Sequence, residues 1–173
     1  MAGIREFRET DWPAVWPLLR DTFAAGDTYT FSPQSSEAEI HKAWVEIPRA
    51  TFVACDADGR LLGTYFLKAN QPGLGDHVCN CGYVVAPQSQ GRGIAASMCE
   101  HSQRIAVEMG FRAMQFNFVV VTNERAIRLW ERMGFAVVGR LPGVFRHKSL
   151  GFVDALVMFK TLVPAAVVYD PPP

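Results

Sequence analysis

Val78-Cys79-Asn80-Cys81-Gly82-Tyr83-Val84-Val85-Ala86-Pro87-Gln88-Ser89-Gln90-Gly91-Arg92-Gly93-Ile94-Ala95 reads as an apolar strand that runs through a glycine-paired turn into an amphipathic helix. Gly91 and Gly93 carry no side chain to block a ligand, so the unpaired N–H groups of the first helical turn can converge on an anion at the positive end of the helix dipole. Gly91-Arg92-Gly93-Ile94-Ala95-Ala96 also satisfies G-x-G-x-x-A, the dinucleotide fingerprint. That fingerprint needs an acidic residue at the end of the next strand, and Ala113 to Val121 is followed by Thr122-Asn123 with no carboxylate. A P-loop is excluded because no Lys-Ser or Lys-Thr pair follows the glycines.

Gln88-Ser89-Gln90-Gly91-Arg92-Gly93 matches the Q/R-x-x-G-x-G/A signature of the GCN5-related acyl-CoA N-acyltransferases (the GNAT family), and Gly82 to Pro87 resembles that family's splayed central strand. A second block, Asn123-Glu124-Arg125-Ala126-Ile127-Arg128-Leu129-Trp130-Glu131-Arg132-Met133-Gly134-Phe135, resembles the family's N-x-x-A-x-x-L-Y-x-x-x-G-F segment, with Trp130 where a tyrosine is usual. Two blocks in the right order are far more specific than either alone. The compatible order of elements extends the resemblance over roughly residues 3 to 160.

Outward from the glycine turn, the hydrophobic pattern supplies the remaining elements. Ile4 to Phe7 is a short strand, and Trp12, Trp16, Leu19 and Phe23 recur at helical spacing behind a Thr10 or Asp11 cap. Ser36-Glu37-Ala38-Glu39 has capping-box form and opens a second helix with Ile40, Trp44 and Ile47 as its apolar stripe. Thr51 to Cys55 and Leu61 to Ala69 flank Asp56 to Arg60 as a strand-turn-strand hairpin. Residues 91 to 109 form a helix ended by Gly110, Ala113 to Val121 a fifth strand, Asn123 to Met133 a helix ended by Gly134, Phe135 to Gly139 a sixth strand and Phe152 to Lys160 the last. The expected fold is α/β (α+β): a mixed central sheet of about seven strands, flanked by about four helices. Only the two strands joined by the Gly91 helix must be parallel. The resemblance implies that the sheet splays between the fourth and fifth strands. It also implies that residues 1–162 form one acyl-CoA N-acyltransferase domain, with 163–173 a proline-ended tail.

With 173 residues, 49% hydrophobic and 20% charged, the chain is long enough for one well-packed core. Seventeen basic and seventeen acidic residues leave no net field for sequence-independent nucleic-acid binding. No apolar run approaches the about 18 residues of a membrane span, and the N-terminus has no signal-peptide core, so the expected location is the cytoplasm. Cys55, Cys79, Cys81 and Cys99 form no C-x-x-C pair, so neither disulfides nor a metal site is expected. Cys79 and Cys81 share a strand face, where free cysteine behaves as a small core hydrophobe; a thiol that carries an acyl group is the alternative.

The resemblance implies that acetyl-CoA is the co-substrate, with its pyrophosphate on the N–H groups of residues 90 to 95 and its pantetheine arm paired like an extra strand along Tyr83, Val84 and Val85. Gln88, Gln90, Gly91, Arg92, Gly93, Ile94 and Ala95 would hold the phosphates, and Asn123, Ala126 and Trp130 would line the cofactor side. Many family members carry a glutamate on the fourth strand, two residues before the glycine, as the base or the orienter of a relay water. Here that position is Asn80, and an amide cannot be a general base. Asn80, Asn117 and Asn123 recur at the spacing seen in the yeast proline-analogue N-acetyltransferases, in which the first positions the substrate. That role carries over to Asn80, and only a cofactor or pocket role to Asn123 and to Asn117, which lies opposite Asn80 mid-strand among apolar neighbours; a structural amide bridging the splayed strands is the other reading. His77 is the alternative base, although strand alternation turns it away from Asn80. Trp130 cannot protonate a departing thiolate as the family's tyrosine can. Tyr29, Phe31, Tyr65 and Phe145 would make a compact acceptor pocket, with Arg146 pairing a carboxylate, which favours a small amino acid or analogue. A peptide N-terminus as acceptor and a non-catalytic acyl-CoA-binding module are the alternatives. Homo-oligomers are usually twofold, so a homodimer with the C-terminal strands near its interface is expected.

Overall fold

The computed structural model describes residues 3–164. The strands are β1 (Gly3–Glu6), β2 (Ala50–Cys55), β3 (Leu61–Ala69), β4 (Val78–Val85), β5 (Ala113–Val120), β6 (Ala136–His147) and β7 (Gly151–Thr161). The helices are α1 (Trp12–Ala24), α2 (Glu37–His41, continued by a wide turn over Lys42–Glu46), α3 (Ile94–Glu108) and α4 (Glu124–Arg132). One seven-stranded sheet has the order β1-β2-β3-β4-β5-β7-β6, and β4–β5 is its parallel pair. This is the mixed α/β architecture expected. The proline-ended tail beyond residue 164 lies outside the described residues.

Helices cover both faces. On one, α1 and α2 pack Val15, Leu19, Phe23, Ile40 and Trp44 against Val53, Phe66 and Val84. On the other, α3 packs Ile94, Met98, Cys99 and Ala106 against Tyr65, Leu67, Cys79, Cys81 and Met114. Side chains alternate between faces along a strand, so Asn80, Gly82 and Val84 of β4 look toward α1 and α2, whereas Cys79, Cys81 and Tyr83 look toward α3. Ser36 forms the expected capping box with Glu39. Ile47, expected in the buried stripe of α2, is 58% exposed because the wide turn rotates it off the core face.

β4 and β5 are in register only at Val78–Ala113 and Cys79–Met114, and then they part. The sixth strand is much longer than expected. It runs to His147 with a register break between Leu141 and Phe145, so residues 141 to 147, expected as a loop over the acceptor, are strand and alternate in direction.

Candidate active site

At the fork Asn80 Nδ2 donates to the Gln115 carbonyl at 2.9 Å. In a continued parallel ladder that carbonyl would meet the N–H of Cys81; the amide takes it instead, closing the last rung with a side chain. Backbone groups alternate as side chains do. Ala86 N–H donates to Leu62 O and Asn70 N–H to Val78 O, so the even residues of β4, Val84 included, spend their backbone groups on β3. The polar groups of Cys81, Tyr83 and Val85 therefore point into the gap. This corrects the expectation that Val84 offers its backbone to a pantetheine arm: its side chain is buried under α1 and its N–H belongs to β3. Tyr29 reaches over Gly82 and donates its phenol to the Tyr83 carbonyl at 2.8 Å. Burial pushes the Tyr29 pKa well above the ordinary phenol value, so the hydroxyl stays protonated.

Beyond Val85 the chain enters the glycine turn. Gly91 and Gly93 have φ of 79° and 78°, left-handed conformations that suit glycine, and Gly93 is the N-cap of α3. That cap supplies no side-chain acceptor, which leaves the first N–H groups of α3, from Ile94 and Ala95 on, without a capping partner. Gln88, Gln90 and Arg92 are exposed around the turn, whereas the Ile94 side chain is buried beneath it. The Ser89 hydroxyl is buried with no hydrogen-bond partner. An open glycine cradle, uncapped N–H groups and an orphaned hydroxyl in one turn fit a phosphate group. Arg125 of α4, not singled out in the sequence, overlooks the same turn: its Nη2 lies 3.7 Å from where a Cβ on Gly91 would sit. Asn123 spends its side-chain oxygen capping α4 at Ala126 N–H, 3.3 Å, which makes that pair a helix terminus first. Trp130 is 8% exposed and packs 5.0 Å from both Tyr83 and Phe116, so it props the cleft wall from behind.

On the α1/α2 face the fork is floored by amides. Gln115 donates to Asn117 at 2.8 Å, and Asn117 donates to Asn70 at 2.6 Å. Asn117 is exposed on this floor and not sunk among apolar neighbours, because Met114 and Phe116 turn to the α3 face and leave Gln115 and Asn117 on this one. Phe31 and Tyr29 pack on the α1/α2 cluster of the same face, 4.5 and 5.1 Å from Phe23. Tyr65 does not join them. It is fully buried on the α3 face, stacked on Phe52 and bonded to His101 at 2.6 Å; Phe66, its neighbour in β3, faces α1 and α2 instead. Phe145 is buried against Phe118, whereas Arg146, the next residue of β6, turns to the opposite face, over the Phe152 ring. His147 shares the side of Phe145, 6.2 Å from it. Lys148 N–H donates to Gly26 O at 3.0 Å and ties the β6–β7 turn to the α1–α2 connection.

His77 immediately precedes β4, exposed and beside Met109 and Phe111, and strand alternation turns it to the face opposite Asn80. Burial pushes the Cys79 thiol up to about 12 and Cys81 well above the ordinary thiol value. Burial thus favours the protonated, unreactive thiol at both positions, which fits small core hydrophobes better than an acyl carrier.

The acetyltransferase (GNAT) family matches residues 12–135. The chain belongs to this family. Among solved structures it is similar to a GCN5-related N-acetyltransferase from Kribbella flavida, at 37% identity with a TM-score of 0.88, over 92% of this chain and 97% of that one. A GNAT superfamily phosphinothricin acetyltransferase from Sinorhizobium meliloti, solved in complex with acetyl-CoA, shares the fold at a TM-score of 0.83 and 20% identity, over 98% and 96% of the two chains. The N-acetyltransferase aca1 of Schizosaccharomyces pombe is 35% identical over 111 residues, 64% of this chain. The match spans about half of that relative, 53% of its length. Within this GNAT domain no helix of the described residues is long and apolar enough to cross a membrane.

Proposed function

We propose that the chain is an acetyl-CoA-dependent N-acetyltransferase that acetylates the amine of a small amino acid or analogue by direct attack in a ternary complex. The observation that carries it is the parting of β4 from β5 after Cys79 and Met114, which opens an edge of strand polar groups ending at the glycine turn. Acetyl-CoA supplies an activated thioester. The N–H groups of the glycine turn, with Arg92 and Arg125, hold its pyrophosphate, and the edge of Cys81, Tyr83 and Val85 receives its peptide-like arm. Backbone N–H groups on that edge polarise the thioester carbonyl. Asn80 orients the neutral amine; the C–N bond forms as C–S breaks, the amine's proton leaves to solvent and CoA departs as thiolate. An ordinary thiol pKa of about 8.5 makes that thiolate an acceptable leaving group, so a tyrosine at position 130 is not required, and with no carboxylate on β4 it is the neutral fraction of the amine that reacts and water that takes its proton.

The hydrogen bond from Lys148 to Gly26 closes one end of the acceptor face, which favours a small molecule over a polypeptide N-terminus. Asn80 facing the fork without a carboxylate is what favours a non-catalytic module. A thiol assay separates the two readings: amine-dependent release of CoA supports the enzyme, and acetyl-CoA binding with no release from any amine supports the module. We further propose a homodimer through the C-terminal hairpin, because the edge strand β6 exposes Val137, Val138 and Val144, and Phe152 beside it in β7 is 69% exposed.

A further inference from the structure

With Arg146 turned outward, the acceptor face holds a different cation. Lys68 stands directly opposite Asn80 in the β3–β4 register, so the two side chains leave the same face side by side. Its ammonium lies 5.5 Å from the centroid of the Phe66 ring, which places the side chain along the strand toward the middle of the fork. The Phe66 ring edge fills the space over Gly82, where a Cβ would come within 2.7 Å of it and 3.3 Å of the Tyr29 hydroxyl. Lys68, Phe66, Tyr29 and the amide floor thus share one face of the sheet. Lys68 is half-buried, and among the described residues no carboxylate stands within 4.0 Å of it. Lys68 also lines a hollow of about 450 Å³ at the start of β4, together with Arg49, Asp76 and His77, and forms no ion pair with Asp76 there. Asn80, Gln115 and Asn117 each spend one amide N–H on the floor's own bonds and keep a second. The floor therefore offers several N–H donors and one unpaired cation, and no anion.

We propose that Lys68, with the spare N–H groups of Asn80 and Asn117, anchors the carboxylate of the acceptor, so that the substrate is an amine bearing a carboxylate near its nitrogen. This rests on the reading that the acceptor enters on the α1/α2 face. The ammonium supplies charge and the amides direction, which a carboxamide in place of the carboxylate would forfeit. The test compares wild type, Lys68→Met and Lys68→Arg on standard amino acids, on the carboxamides of those turned over, and on amines without a carboxylate; acetyl-CoA affinity is measured in parallel. Methionine keeps the length and apolar stem over Phe66 and removes the charge. Lys68→Met should raise KM for the carboxylated amine at least tenfold, change KM for its carboxamide by less than twofold and leave acetyl-CoA affinity as it was, with Lys68→Arg closer to wild type. Equal effects on carboxylate and carboxamide, or none on either, overturn the proposal, as does turnover confined to amines without a carboxylate. No turnover of any amine by wild type overturns the acetyltransferase reading and this proposal with it.

Discussion

Gly91 has a left-handed backbone and lies under Arg125, so Gly91→Val meets a strained conformation, typically about 1–3 kcal/mol, and puts a branched side chain where phosphate must approach. Acetyl-CoA affinity measured by calorimetry should fall at least tenfold with the protein still folded; unchanged affinity would remove the turn from the binding site. Arg125→Ala should weaken acetyl-CoA and its 3′-dephospho form alike and leave S-acetylpantetheine unaffected, which distinguishes a pyrophosphate contact from a general loss of charge. Asn80→Ala leaves the Gln115 carbonyl without its side-chain donor as well as removing the proposed orienter of the substrate. It should lower kcat/KM for the amine while acetyl-CoA affinity holds, whereas His77→Ala should retain activity because strand alternation turns His77 to the face opposite Asn80, beside Met109 and Phe111. Gly91, Gly93 and Asn80 are legible in the sequence because each breaks the pattern of its element. Lys68 and Arg125 are not, because each is one more polar residue on an element until register and helix docking place it.

Among the elements, β3 explains the misplaced Tyr65. Leu62 to Leu67 are all buried, so the strand has no polar alternation from which a face could be read. The connection between β3 and β4 has no short turn to pin their register, so the pairing of Lys68 with Asn80 emerges only in three dimensions. β6 was hidden for another reason: Pro142 and Gly143 look like a loop, yet the register break there accommodates them and Gly143 N–H donates to Asp154 at 2.8 Å. Gly82→Ala should destabilise the protein by about 1–3 kcal/mol by pressing on Phe66. Denaturant unfolding checks this, and a neutral result would mean that the ring moves freely. α2 carries a pH dependence. Burial pushes the His41 pKa down, but hydrogen bonds to Glu46 and Glu9 outweigh it, so the folded value lies above the ordinary one of about 6.5. The folded state then binds the proton more tightly. That contribution is fully present below the ordinary value and is lost as pH rises through the raised one. Relative to His41→Gln, wild type should lose stability over that window in urea titrations; a constant difference across it would contradict the linkage.

For the whole molecule, element order and the parallel pair follow from the glycine turn and its helix, and the fork is where two motif blocks from separate segments meet. The hairpin of β6 and β7 carries the exposed valines, so Val138→Lys should shift the mass measured by light scattering from dimer to monomer, and a wild-type monomer would refute the interface. Acetyl transfer itself is tested most directly by following CoA thiol release from acetyl-CoA with wild-type protein, with and without amino acids. The account predicts release that depends on both the amine and its carboxylate, and falls with Asn80→Ala. Tight acetyl-CoA binding with no release above background from any amine would contradict it.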